Sequence, residues 1–156
     1  MNSLIIRKAT AQDVPDILRL IKELAIYEKA EHEVTNTEEK MLEEGFGENP
    51  AFTCGLAILD NKIVGIYLWY IRYSTWKGKG LYLEDIIVSE EYRGLGIGKA
   101  LLEACIQDAK EMNAAFMLWQ VLDWNTPAIE FYKKFNANFD DEWINVKLTA
   151  EQIQNY

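Results

Sequence analysis

The chain has 156 residues, 49% of them apolar and 26% charged, which suits one globular domain with a core of its own and excludes a disordered chain. Two cysteines, Cys54 and Cys105, form no Cys-x-x-Cys pair, and with the single histidine His32 they leave a disulfide scaffold or zinc site almost nothing to use, so no metal is expected. Net charge is -9 with no cluster of Lys and Arg, no apolar run nears the ~20 residues that cross a bilayer, and Met1 to Lys8 lacks a signal-peptide pattern; the expectations are a cytoplasmic protein, no nucleic acid, no membrane and a cationic partner.

Leu4 to Arg7 reads as a short extended run. Thr10 or Asp13 can cap a helix whose first turn accepts Pro15, because the first amides of a helix have no intrahelical partner. Val14, Ile17, Leu18, Ile21, Leu24 and Ala25 then recur at spacings of three and four, the pattern of one buried helical face. A second capped segment runs from Thr37 to Glu44 and ends at Gly45. Between the two, Glu28 to Glu39 is acidic and reads as an exposed loop that includes His32.

From Phe52 the period changes. Phe52 to Leu59 and Ile63 to Tyr73 are rich in β-branched and aromatic residues and flank Asp60-Asn61-Lys62, the composition of a hairpin turn. A loop from Ser74 to Gly80 leads to a third strand, Leu81 to Val88. Helix returns over Gly98 to Met112, then strand over Ala115 to Val121, a short helix over Pro127 to Lys134 and a last strand over Trp143 to Leu148. Cys54 and Cys105 fall at core positions of a strand and a helix. With no repeat or linker, the order of elements describes one α/β domain over residues 1–156, a mixed sheet with helices on its faces.

Arg93-Gly94-Leu95-Gly96-Ile97-Gly98-Lys99 lies between a strand and a helix. Glycines at alternate positions leave amide N–H groups uncovered at a helix N-terminus, where an anion is favoured. The Rossmann fingerprint needs glycine where Lys99 stands, and the P-loop needs Ser or Thr where Ala100 stands, so both fail. Arg-x-x-Gly-x-Gly, the pyrophosphate loop of coenzyme A-dependent N-acetyltransferases, fits.

Over essentially its full length the chain resembles the GNAT superfamily, and within it the spermidine/spermine (diamine) and thialysine N-acetyltransferases. The resemblance is carried by Ile17 to Ala25 with Tyr27-Glu28, by Tyr82-Leu83-Glu84-Asp85, by Tyr92-Arg93-Gly94 with Gly96-Ile97-Gly98, and by Trp124-Asn125 with Phe131-Tyr132-Lys133. It implies a mixed, mostly antiparallel sheet with a splayed central strand pair and helices on both faces. It also implies acetyl-CoA as acetyl donor, its pantetheine arm on the backbone of Ile86, Ile87 and Val88, its pyrophosphate on Arg93, Gly94, Leu95, Gly96, Ile97, Gly98 and Lys99, with a further contact from Asn125. A homodimer is implied as well, with the strand Trp143 to Leu148 available for pairing.

By the same resemblance Glu84 is the base, directly or through water, and Asp85 a substrate contact. An alkylammonium with a pKa near ~10.4 must lose a proton before it can attack. Adjacent strand residues point to opposite faces, so Glu84 and Asp85 can share a site only if a bulge intervenes. Tyr132 is the acid for the departing thiolate and lines the coenzyme A side with Asn125, two helical turns away. Many relatives have glycine a few residues after this tyrosine; Asn136 stands there instead and is expected to take the same left-handed turn.

Tyr27, Glu28, Trp76, Trp119, Gln120 and Glu142 are the remaining substrate candidates, Trp76 on a loop that would roof an amine channel. Polyamine enzymes carry an acidic residue and proline before this tryptophan, whereas Ser74-Thr75-Trp76-Lys77-Gly78 and Val121-Leu122-Asp123-Trp124-Asn125 resemble the thialysine branch. The expected substrate is a small cationic amine, thialysine or a lysine-like amino acid first and polyamines second. A non-catalytic acyl-CoA sensor is the alternative from another class, and the presence of both Glu84 and Tyr132 speaks against it.

Overall fold

The computed structural model describes residues 3–156. Met1 and Asn2, which open both the Met1 to Lys8 segment and the proposed 1–156 domain, lie outside the described residues. The chain divides into two compact units, Met1–Gln120 and Val121–Tyr156.

In the first unit, β1 (Leu4–Lys8), β2 (Thr53–Leu59), β3 (Lys62–Ser74), β4 (Gly78–Val88) and β5 (Met117–Leu118) form one sheet in the order of the chain. Neighbours are antiparallel except for the parallel pair of β4 and β5. Helices α1 (Val14–Tyr27) and α2 (Glu38–Phe46) share one face, where Val14, Ile17, Leu18, Leu20 and Met41 are buried with Cys54, Leu56, Ile66, Leu68 and Ile87. On the opposite face α3 (Ile97–Glu111) buries Leu101, Leu102 and Cys105. The strand period of two thus sends Ile66 and Leu68 to one helix layer and Tyr67 and Trp69 to the other.

Asp13 fastens the entry to α1. Its carboxylate takes two bonds from the Arg7 guanidinium, at 2.7 and 2.9 Å, and one from the Thr10 backbone N–H at 2.7 Å. These donors, Arg7 above all, hold the Asp13 carboxyl down at about 2.

Several boundaries differ from those expected, each for a local reason. Helix α2 passes through Gly45 to end at Phe46, because Gly45 lies under the Phe52 ring, where a Cβ would stand 2.1 Å from ring carbon Cζ. The expected loop Ser74 to Gly80 is a tight hairpin, closed by the Ser74 hydroxyl oxygen, which accepts the N–H groups of Trp76 and Lys77 at 3.2 Å each. Strand β5 is two residues long rather than Ala115 to Val121.

The second unit contains α4 (Thr126–Lys133) and α5 (Ala150–Gln154). Its expected strand Trp143 to Leu148 is absent. That stretch has strand-like alternation but is not a strand in the structure, and Trp143, Ile144, Val146 and Leu148 stand exposed. Helix α5, which the sequence reading did not anticipate, begins at a capping box formed by Thr149 and Gln152. Among the described residues no helix is long and apolar enough to cross a membrane.

Candidate active site

The cradle begins where β4 ends. A short turn, Glu90–Tyr92, leads to Gly94 and Gly96, with φ of 78° and 80°, and Gly96 is the N-cap of α3. A side chain is disfavoured at both positions by the backbone alone, since a Cβ there would meet nothing within 4 Å. The glycines therefore leave open space beside a helix start whose first amides lack intrahelical acceptors, and this fits a pyrophosphate. Arg93 points elsewhere: its Nε–H donates to the Val88 carbonyl at 3.0 Å and its guanidinium lies 5.0 Å from the Tyr27 ring centroid. Leu95 and Lys99 are exposed and Ile97 is buried in the helix layer.

Strand β4 pairs along one edge with β3 up to Val88, but with β5 only at Leu81↔Met117 and Tyr82↔Leu118. Beyond Tyr82 that edge of β4 has no ladder partner among the described residues. The backbone of Ile86, Ile87 and Val88 lies on the part of β4 beyond that pairing.

The carboxylates sit at a β-bulge. Leu68 pairs with Asp85 and Trp69 with Leu83, leaving Glu84 as the extra residue on β4. Without the bulge Glu84 and Asp85 would point to opposite faces; with it, both lie on the face of Leu68 and Tyr70. The Tyr70 hydroxyl donates to Glu84 Oε2 at 3.0 Å, and the Tyr70 and Tyr82 rings are 5.2 Å apart. Burial pushes the Asp85 carboxyl up to about 7, reinforced by the negative charges of Glu84 and Glu28. Burial also raises Glu28, the residue that ends α1. Tyr27, Glu28, Glu84, Asp85 and Arg93, expected from three separate stretches, are thus linked at one end of the sheet. Tyr70 was not singled out, although its period-two relation to Leu68 puts it on the same face.

Trp76 stands at the hairpin tip, 85% exposed. The Ser74 hydroxyl is committed to that turn, which gives its residue type a local reason besides any part in substrate choice. Trp119 is half-buried and Gln120 exposed after β5. His32 is exposed, while Cys54 and Cys105 are buried with their thiols pushed up to about 12, chiefly by burial.

In the second unit Asn125 caps α4, its side-chain oxygen accepting the Ala128 N–H at 3.4 Å, and Pro127 occupies the first turn. Tyr132 falls seven residues later, hence on nearly the same side of the helix. It is buried, with its ring centroid 5.4 Å from that of Phe131. Asn136 adopts the expected left-handed turn with φ of 56°. Glu142 is exposed and its backbone N–H donates to Asp140 Oδ1 at 3.1 Å.

Residues 15–137 match the Acetyltransferase (GNAT) family. The chain belongs to that family and is an N-acetyltransferase. It is similar to the thialysine N-epsilon-acetyltransferase of Sus scrofa, 41% identical over 145 residues that span 88% of this chain and 85% of the relative. The protein of the same name from Mus musculus is 38% identical over 165 residues, spanning 99% and 97%. In fold it is similar to the crystal structure of an aminoglycoside acetyltransferase from an uncultured soil metagenomic sample, with TM-score 0.77, 22% identity and coverage of 94% and 95%.

Proposed function

We propose that the chain, as a single domain over residues 1–156 and as a homodimer, acetylates the primary amine of a small cationic substrate from acetyl-CoA. Thialysine or a lysine-like amino acid is the first choice and a polyamine the second. The observation that carries this reading is the bulge, which sets Glu84 and Asp85 on one face near Glu28 and directly upstream of the cradle. The amides from Gly94 to Lys99 receive the pyrophosphate, and the backbone of Ile86, Ile87 and Val88 receives the pantetheine arm. Bound acetyl-CoA supplies the thioester carbonyl that the amine attacks.

Glu28 and Asp85 hold the substrate ammonium by charge, with Tyr27 beside them, while Glu84 takes up its proton directly or through a water. Tyr132 gives a proton from its hydroxyl to the departing sulfur as the general acid. Asn125 supports the coenzyme A side.

The test is release of coenzyme A over a panel of thialysine, lysine, spermidine, putrescine and a lysine peptide. The highest kcat/KM is expected for thialysine. Preference for spermidine moves the assignment to the polyamine branch. Acetyl-CoA binding with transfer to no amine overturns the enzymatic reading in favour of a sensor.

A further inference from the structure

We propose that Trp69 and Asp108 are positioning residues that hold the bulge, and with it the Glu84 and Asp85 pair, against the helix that carries the cradle. The proposal rests on the reading of that pair as the amine site. Asp108 lies on α3, eleven residues after its start, and one oxygen of its carboxylate gathers three donors from distant parts of the chain. The Trp69 indole N–H reaches Asp108 Oδ2 at 2.8 Å, the Tyr67 hydroxyl reaches it at 2.9 Å, and the Lys8 ammonium pairs with it as well. Lys8 also donates to the Tyr67 hydroxyl at 2.8 Å. Gly55 makes the arrangement possible, since a Cβ there would lie 2.1 Å from the Tyr67 ring.

The Asp108 side chain is only 10% exposed. Apolar residues could pack that layer without the cost of desolvating a carboxylate, so a largely buried carboxylate with three donors, one of them the half-exposed Lys8, is better explained by the one geometry it fixes. Of its three donors, Trp69 occupies the special position: it is the residue of β3 at which the register with β4 changes, paired with Leu83 while its neighbour Leu68 pairs with Asp85. A slip of one residue would turn every side chain of a strand to the other face and separate Glu84 from Asp85. Leu68 is locked in the core under α1, and the indole is tied to α3 on the opposite face. The register is therefore pinned from both sides of the sheet at the step that creates the site. The groups facing Asp85 are Glu84 on its own strand, Glu28 at the end of α1, Cys54 on β2 and the neighbouring Tyr82.

Trp69→Phe removes the indole N–H and keeps an aromatic ring, whereas Tyr67→Phe removes another donor to the same carboxylate at a residue that is not one of the two between which the register shifts. Trp69→Phe is expected to lower kcat/KM for the amine about tenfold, an effect of misplacing reacting groups. It should also displace the midpoint of the pH profile and leave acetyl-CoA affinity unchanged. Asp108→Asn should follow it, and Tyr67→Phe should reduce Tm without either kinetic change. The Asp85 carboxyl, titrated by carbon-13 NMR, should move in Trp69→Phe and stay in Tyr67→Phe, a readout that needs no turnover. Equal behaviour of the two Phe variants in kinetics and titration would overturn the proposal, leaving Asp108 as a stabilising cluster only. If the wild type acetylates no amine, the functional reading fails, and the titration alone decides whether the bulge is held in this way.

Discussion

In the mechanism proposed above Tyr132 gives its proton to the departing sulfur, so Tyr132→Phe should lower turnover by about a hundred- to ten-thousandfold, the usual worth of general acid catalysis. Acetyl-CoA should protect the variant against heat as well as it protects the wild type, and wild-type turnover under chemistry-limited conditions would remove Tyr132 from the mechanism. Asp85 makes a different prediction, about stability. Burial raises its folded-state carboxyl from 3.8 to about 7, so the native protein holds that proton to higher pH than the unfolded chain does. Stability is therefore lost as pH climbs through this interval, as the buried group is forced to ionise. Asp85→Asn has no such loss and should gain Tm relative to wild type at pH 8, with the gain gone at pH 4. A Tm difference that is the same at both pH values would show that Asp85 titrates as an ordinary carboxylate.

The glycine loop and the start of α3 act as one element. Gly96→Val forces a β-branched residue to φ of 80° at the helix cap. The folded variant should lose the thermal shift given by acetyl-CoA, which for ligand at a hundredfold excess over its dissociation constant is about 2.7 kcal/mol. An unchanged shift would take the pyrophosphate out of the cradle. The loop was legible in the sequence because each glycine reports directly on local backbone, and α1 was legible because its apolar spacing is a local property. The bulge was not, since an extra residue exists only relative to the register of a partner strand. Nothing local in the sequence ties Trp69 to Asp108, 39 residues away. The Trp143 to Leu148 segment misled for the converse reason: alternation is a local property, whereas a strand is made by a pairing that no single segment encodes.

For the whole molecule, that segment leads to the oligomeric state. Ile144, Val146 and Leu148 alternate with Asn145 and Lys147 and are 89%, 92% and 63% exposed, with Trp143 75% exposed nearby. In the homodimer proposed above this exposed apolar segment should be covered by a second copy. Sedimentation equilibrium should give twice the chain mass, and Val146→Lys should give the monomer with Trp143 emission shifted to the red. A wild-type monomer at micromolar concentration would dispose of the dimer.

Helix α3 has the cradle at its first turn and Asp108 in its last full turn, about 16 Å further along the axis. It is a single stiff rod with the proposed anion site at one end and the sheet clamped to the other. A ligand that stills the first end should damp motion at the second, so acetyl-CoA should slow deuterium exchange at the backbone amides of Leu68 and Trp69, which lie outside the contacts proposed for it. Exchange there that is indifferent to acetyl-CoA, while the amides of Ile97 to Lys99 are protected, would mean that the helix does not transmit the constraint.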